Sequence, residues 1–149
     1  MNNKFDILLI DDEQVIIDSL IKIVDSEGLT IDSVYDTTSA IEKLKNSGYK
    51  LIISDIMMPV MNGFEFIREI KKMNILTPVI MTTGYSTIEN AVKSLSNGAF
   101  DYIPKPFDLD EMISVIRRGL KYYELLKNME HLQNRTKPLL TRHSVNMLR

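Results

Sequence analysis

Leu51-Ile52-Ile53-Ser54-Asp55-Ile56-Met57-Met58-Pro59 is the stretch around which the rest of the 149-residue chain can be organised. A short apolar run bounded by turn signals reads as a buried strand. Here the run ends in one carboxylate, and a proline follows four residues later. In open α/β sheets the ends of such strands are where ligands are carried. Taken alone, Asp55 is open between a turn acid and a site.

Strand and helix signals alternate on both sides of this stretch. Upstream, Phe5 to Ile10 is apolar except for Asp6 and stops at Asp11-Asp12-Glu13, so a first buried strand meets a cluster of acids. Val15, Ile16, Leu20, Ile23 and Val24 recur at helical spacing and predict a helix over about 13–27, with Gly28 as its stop. Leu29 to Tyr35 reads as the second strand. Ser39 with Glu42 forms a capping-box pattern for the next helix, which Gly48 closes.

Downstream, Asn62 with Glu65 caps a helix whose Phe66, Ile67, Ile70 and Met73 form an apolar stripe. Pro78 opens a fourth strand, Val79-Ile80-Met81. Ser86 with Glu89 predicts the next cap, Ile88, Val92 and Leu95 share one face of that helix, and Gly98 ends it. A short fifth strand covers about 101–103, and Asp108 with Glu111 caps the last helix. Five such alternations imply an α/β fold, doubly wound, with a parallel sheet covered on both faces.

The last helix does not stop where the sheet is covered. Tyr122, Leu125, Met129 and Leu132 continue at the 3-4-3 spacing of a coiled-coil seam, and the simplest partner for that face is the same helix in a second chain, a homodimer. After Glu130 the acids end, and Arg135, Lys137, Arg142 and Arg149 make a basic tail. Pro138 is expected to interrupt the helix, so this end reads as a linker or a cut end.

Composition narrows the function classes. Eighteen basic and twenty acidic side chains give a net charge of −2, so a general attraction to nucleic acid is not expected. With no cysteine, disulfides, thiolate chemistry and Cys-type zinc sites are excluded. No apolar run approaches the ~20 residues of a membrane span, and the N-terminus lacks a signal-peptide pattern. A cytoplasmic setting is the expectation. His131 and His143 have no neighbours at ligand spacing, and the methionines read as core or loop filler.

Asp11 and Asp12 follow the first strand, Asp55 the third, Thr83 the fourth and Lys105 the fifth. Singly, each has an ordinary reading: Asp12 as a helix N-cap, Asp55 as a turn acid, Thr83 and Lys105 as loop residues. In a parallel sheet all those ends face one way, so the five groups converge in one crevice. Three crowded carboxylates repel unless a cation neutralises them, and an oxygen-only ligand set favours Mg2+ over zinc or copper.

Ile10-Asp11-Asp12-Glu13, Asp55-Ile56-Met57-Met58-Pro59 with Asn62-Gly63, Thr83-Gly84, and Tyr102-Ile103-Pro104-Lys105-Pro106-Phe107 resemble the successive signatures of a response-regulator receiver domain. The resemblance covers about residues 4–122 and leaves 123–149 as a helical extension with a basic linker or tail. It implies a strand order of 2-1-3-4-5. Asp55 would be the phosphoacceptor, receiving a phosphoryl group from a phosphohistidine on a histidine kinase or phosphotransfer protein. Asp12, Asp55 and the backbone carbonyl of Met57 would bind Mg2+ directly, with Asp11 acting through water. Lys105 and Thr83 would contact the phosphoryl oxygens, and Tyr102, the switch aromatic, would turn inward. A cis Lys105-Pro106 peptide also fits.

The same resemblance places the signalling surface on the fourth helix, fifth strand and fifth helix, including Ile88, Ala91 and Tyr102. Met57 and Tyr85 stand where the family tunes phosphoryl lifetime; neither is an acid or an amide, which points to slow self-dephosphorylation. Two other classes fit the residues less well. A Mg2+-dependent phosphohydrolase of small phosphate esters would need Asp-x-Asp on the first strand, where this chain has Asp11-Asp12-Glu13. A flavodoxin-like carrier would need a hydroxyl-rich loop there. No phosphate loop, helix-turn-helix pattern or other output domain is visible, so the chain reads as a fragment whose linker begins near Leu132, ahead of the alternative of a complete single-domain regulator. The resemblance implies a signalling domain that catalyses its own phosphorylation and slow dephosphorylation, not a conventional enzyme.

Overall fold

The computed structural model describes residues 5–148, with side chains through 135. In chain order the elements are β1 (Ile7–Ile10), α1 (Gln14–Ser26), β2 (Ile31–Val34), α2 (Thr37–Asn46), β3 (Leu51–Asp55), α3 (Gly63–Lys72), β4 (Val79–Thr83), α4 (Ile88–Ser96), β5 (Asp101–Pro104) and α5 (Leu109–Leu148). The strands form one sheet in the order β2-β1-β3-β4-β5, with every pairing parallel, as the alternation and the resemblance predict.

β1 explains why its sequence is unbroken in hydrophobicity. Ile7 and Leu9 pack with Ile17, Leu20 and Val24 of α1 and Met112, Val115 and Ile116 of α5. Leu8 and Ile10 pack on the other side with Ala40 and Leu44 of α2 and Phe64, Phe66, Ile67 and Ile70 of α3. A strand covered on both faces cannot alternate polar residues. Full burial of each such side chain stabilises by roughly 1.5–3 kcal/mol.

Several helix starts differ from expectation. Asn62 and Glu65 do form the capping box of α3, and the Asp108 carboxylate accepts from the Glu111 N–H at 3.1 Å. α2, however, is capped by Asp36, which accepts from the Ser39 N–H, and α4 by Thr87, which accepts from the Asn90 N–H. Asp36, three residues before Ser39, and Thr87, one residue after Ser86, take the roles expected of those serines. β2 is shorter than the expected 29–35.

α4 is turned inside out relative to an ordinary amphipathic helix. Its Ile88, Val92 and Leu95 face is exposed, Ile88 by 85%, and among its described residues only Ser94 is buried. It is held to α3 by polar contacts: Lys93 Nζ lies 4.7 Å above the Phe64 ring, and Arg68 donates to Asn97 at 3.4 Å.

α5 continues past the sheet, as expected, and presents Leu125, Met129 and Leu132 to solvent. Tyr122 is only partly available to that stripe, because its ring stacks on Phe100. The helix is not interrupted at Pro138, contrary to expectation; a proline deletes one backbone hydrogen bond, which bends some helices instead of ending them. The expected basic groups Lys137, Arg142 and Arg149, and His143, lie outside the residues whose side chains are described.

Gly63 is the position where the fold leaves no room next to the β3 end. A Cβ there would lie 2.9 Å from both the Asp55 carbonyl oxygen and the Ile56 Cα, and would also meet the Met81 methyl. Gly63→Ala is therefore expected to destabilise by about 1–3 kcal/mol, the usual range for overpacking, read as a lower denaturation midpoint.

Candidate functional site

The β3 register places Asp55 opposite Thr82 of β4, and β4 in turn places Thr83 opposite Pro104 of β5. The Lys105 N–H then donates to the Thr83 carbonyl at 2.9 Å, so the residue after β5 is fixed to the last residue of β4. This carries the Lys105 side chain, 7% exposed, back over the strand ends. Its ammonium lies 2.7 Å from an Asp11 oxygen, 3.0 Å from Asp55 Oδ2 and 3.7 Å from Glu13. The Lys105–Pro106 peptide is cis.

The acids are arranged by short local bonds. Asp11 accepts from the Glu13 N–H at 2.9 Å, closing the turn into α1. Glu13, not Asp12, stands at the α1 cap position, and its side chain makes no cap bond. Asp12 is exposed. Asp55 accepts from the Met57 N–H through Oδ1 at 3.1 Å while Oδ2 faces Lys105. Asp11, Asp12, Glu13 and Asp55 each offer one oxygen, and these lie within 4.8 Å of one another. Oxygen-only donors this close suit a hard divalent cation. Sequence reasoning left Glu13 out of the group, although its place in the Asp11-Asp12-Glu13 run was the available signal.

Burial pushes the Asp55 carboxyl above its ordinary value, and the Asp11 charge adds to the rise, against the pull of Lys105 and the Met57 N–H. Burial alone would lower the Lys105 ammonium, but Asp11 and Asp55 more than offset it and hold it above the usual lysine value.

Thr83 is fully buried, and its hydroxyl oxygen accepts from the Tyr85 N–H at 3.1 Å, which folds back the first turn of the β4–α4 loop. Tyr102 is half-buried and packed against the α2/α3 core. Its hydroxyl is enclosed and has no hydrogen-bond partner among the described residues. The crevice rim carries Met57, exposed, and Val60, 93% exposed with a left-handed φ of 69° that is unusual for a β-branched residue.

Comparison with known proteins matches this geometry. The family described as response regulator receiver domain matches residues 7–117. The chain is similar to the DNA-binding transcriptional regulator NtrC of Escherichia coli (strain K12), 32% identical over 125 residues, covering 84% of this chain and 27% of that protein. It is also similar to the uncharacterized transcriptional regulatory protein YkoG of Bacillus subtilis (strain 168), 33% identical over 77% of this chain and 50% of that one. The chain thus spans about a quarter to a half of the length of these relatives. Among solved structures, the signal receiver domain of a putative Luxo repressor protein from Vibrio parahaemolyticus superposes with a TM-score of 0.79 at 28% identity, over 85% of this chain and 97% of that one. NtrX from Brucella abortus, solved in complex with ADP, gives a TM-score of 0.79 at 34% identity, over 92% of this chain and 30% of that one. Among the described residues no helix is long and apolar enough to cross a membrane.

Lys105→Met leaves two buried carboxylates without their cation and is expected to cost about 3–5 kcal/mol at pH 7. A carboxyl raised above its unfolded value of ~3.9 stabilises the fold below that value, and the contribution is lost as pH rises through the folded value. Without Lys105 the rise of Asp55 is larger. The deficit of the variant should therefore be small near pH 4 and grow towards pH 7, as read by urea midpoints at the two values.

Proposed function

Because the chain belongs to the response-regulator receiver family, we propose that it is a phosphoacceptor switch of a two-component system in which Asp55 takes the phosphoryl group. The observation that carries this reading is the pairing of buried Asp55 with Lys105 at 3.0 Å inside a group of four acids. A partner histidine kinase or phosphotransfer protein would be the donor. An Asp55 carboxylate oxygen would form the new P–O bond, the P–N bond of the phosphohistidine would break, and the imidazole would leave with its electron pair and be protonated from solvent.

A carboxylate nucleophile needs no general base, and phosphoryl transfer asks the protein mainly for position and charge. Asp12, Asp55 and the Met57 carbonyl would hold Mg2+, with Asp11 acting through water. The bound ion supplies positive charge that offsets the anionic nucleophile and phosphoryl group. Lys105 would exchange a carboxylate partner for a phosphoryl oxygen, and Thr83 would give its hydroxyl to another. The Thr83 hydroxyl would donate a hydrogen bond to the phosphoryl group while its oxygen still accepts from the Tyr85 N–H, so the β4–α4 loop reports the modification.

Residues 4–122 would form the receiver and 123–149 the helical extension. Relay would run through α4, β5 and α5, where Ile88 is exposed and Ala91 half-buried. The exposed stripe Leu125, Met129 and Leu132, with the outer edge of Tyr122, would pair with the same stripe of a second chain. Contact with DNA would come only through a domain outside this chain.

Incubation with Mg2+ and acetyl phosphate should add one phosphoryl group, mapped to Asp55 by borohydride trapping, and Asp55→Asn should abolish it. Full modification of Asp55→Asn, or steady turnover of small phosphate esters, would refute the reading. Exposed Met57 and Tyr85 offer neither an acid nor an amide to orient an attacking water. The acyl phosphate should persist for many minutes in a chase assay, and decay within a few seconds would contradict that expectation.

A further inference from the structure

β5 spans the domain from the crevice to the start of the helical extension. Lys105 follows its C-terminal end, and Phe100 immediately precedes its N-terminal end. The Phe100 ring stacks on Tyr122 of α5, with centroids 5.2 Å apart and planes at 25°. The next residue, Asp101, pairs with Arg118 at 3.2 Å. Residues 118 and 122 are one helical turn apart, so two consecutive residues of the strand grip one face of the helix.

The surroundings make this grip specific. The Phe100 N–H donates to the Val79 carbonyl at 2.7 Å, and Gly98, with a φ of 99°, leaves the space that the Lys71 side chain fills. On the helix, Gly119 lets α5 approach the sheet, since a Cβ there would lie 2.7 Å from Leu51 Cδ1. One turn further on, Tyr123 is buried, and beyond it Leu125 and Met129 are exposed. The direction in which the stripe leaves the domain is therefore set at 119–123. The Asp101–Arg118 pair is solvent-exposed and contributes little. The aromatic stack is the stronger of the two contacts.

Resting on the phosphoacceptor reading of Asp55, we propose that Phe100 is a positioning residue whose stack on Tyr122 passes the state of the crevice to the exposed stripe of α5. Lys105 and Phe100 lie at the two ends of one four-residue strand. A change in the partners of Lys105 shifts β5, and the stack converts that shift into a change in how α5 is held past Gly119. Spatial continuity alone does not establish coupling, so the stack itself is the element to perturb.

The test uses the full chain with Mg2+ and beryllofluoride. Uptake at Asp55 is read by fluorine NMR with Asp55→Asn as the blank, and the response of the helix by hydrogen exchange of residues 122–135. In the parent, loading should change exchange in that segment by roughly two- to tenfold, the range an aromatic pair supplies. Phe100→Leu should take up beryllofluoride equally and lose the response, and Phe100→Tyr should restore it. Arg118→Ala should keep it. If Phe100→Leu does not melt cooperatively, Tyr122→Leu removes the same stack from a half-exposed position and should give the same loss. Normal uptake with no change in the parent helix, or a full response in the Leu variants, overturns the proposal and leaves the phosphoacceptor reading standing. No uptake by the parent overturns both.

Discussion

The Lys105 ammonium, enclosed between Asp11 and Asp55, is the interaction on which the arrangement of the crevice depends. Two carboxylates brought together away from water repel, and burial already raises Asp55. The lysine resolves this only if the ends of β1, β3 and β5 arrive at one edge of the sheet together. The parallel order β2-β1-β3-β4-β5 meets that condition, and the Lys105 N–H bond to Thr83 fixes the lysine backbone to the neighbouring strand. A buried pair of this kind adds little net stability compared with apolar packing. Its effect here is to hold two carboxylates and an ammonium in one place.

The architecture was legible in the sequence because burial on both faces imposes unbroken apolar runs, and turns impose Gly, Pro and Asx residues between them. The convergence of Asp11, Asp55, Thr83 and Lys105 at one edge of the sheet followed from topology alone. Cap positions were less legible. A Ser-x-x-Glu pattern shows that two groups can bond, but Asp36 before Ser39 and Thr87 after Ser86 are the better-placed acceptors. Periodicity also defines a face without its direction, so Ile88, Val92 and Leu95 identified a helix while leaving open that their side points to solvent. Glu13 was hidden for another reason: the N-cap reading falls on Asp12, whereas Glu13 occupies the cap position and its side chain makes no cap bond.

α4 and Tyr102 describe the same region from two sides. Among its described residues α4 buries only Ser94 and is tethered through Lys93 and Arg68, so apolar packing does little to fix its position. Among the described residues the enclosed Tyr102 hydroxyl has no hydrogen-bond partner, which costs about 1–3 kcal/mol relative to a satisfied group. A loosely held helix beside an unsatisfied hydroxyl is a region where two arrangements of similar free energy can exist. Few buried apolar contacts mark such segments as the first to open.

The central place of β1 has a consequence for how the chain reaches its structure. β1 pairs with β2 on one side and β3 on the other, so the first acids of the crevice and Asp55 are assembled by the N-terminal half of the chain. The cation that neutralises them is contributed by the segment after β5, near the end of the domain. A partly folded chain lacking β5 would hold Asp11 and Asp55 side by side without Lys105. Such intermediates are penalised electrostatically, and folding is driven towards an all-or-none transition in which the last strand is required by the first.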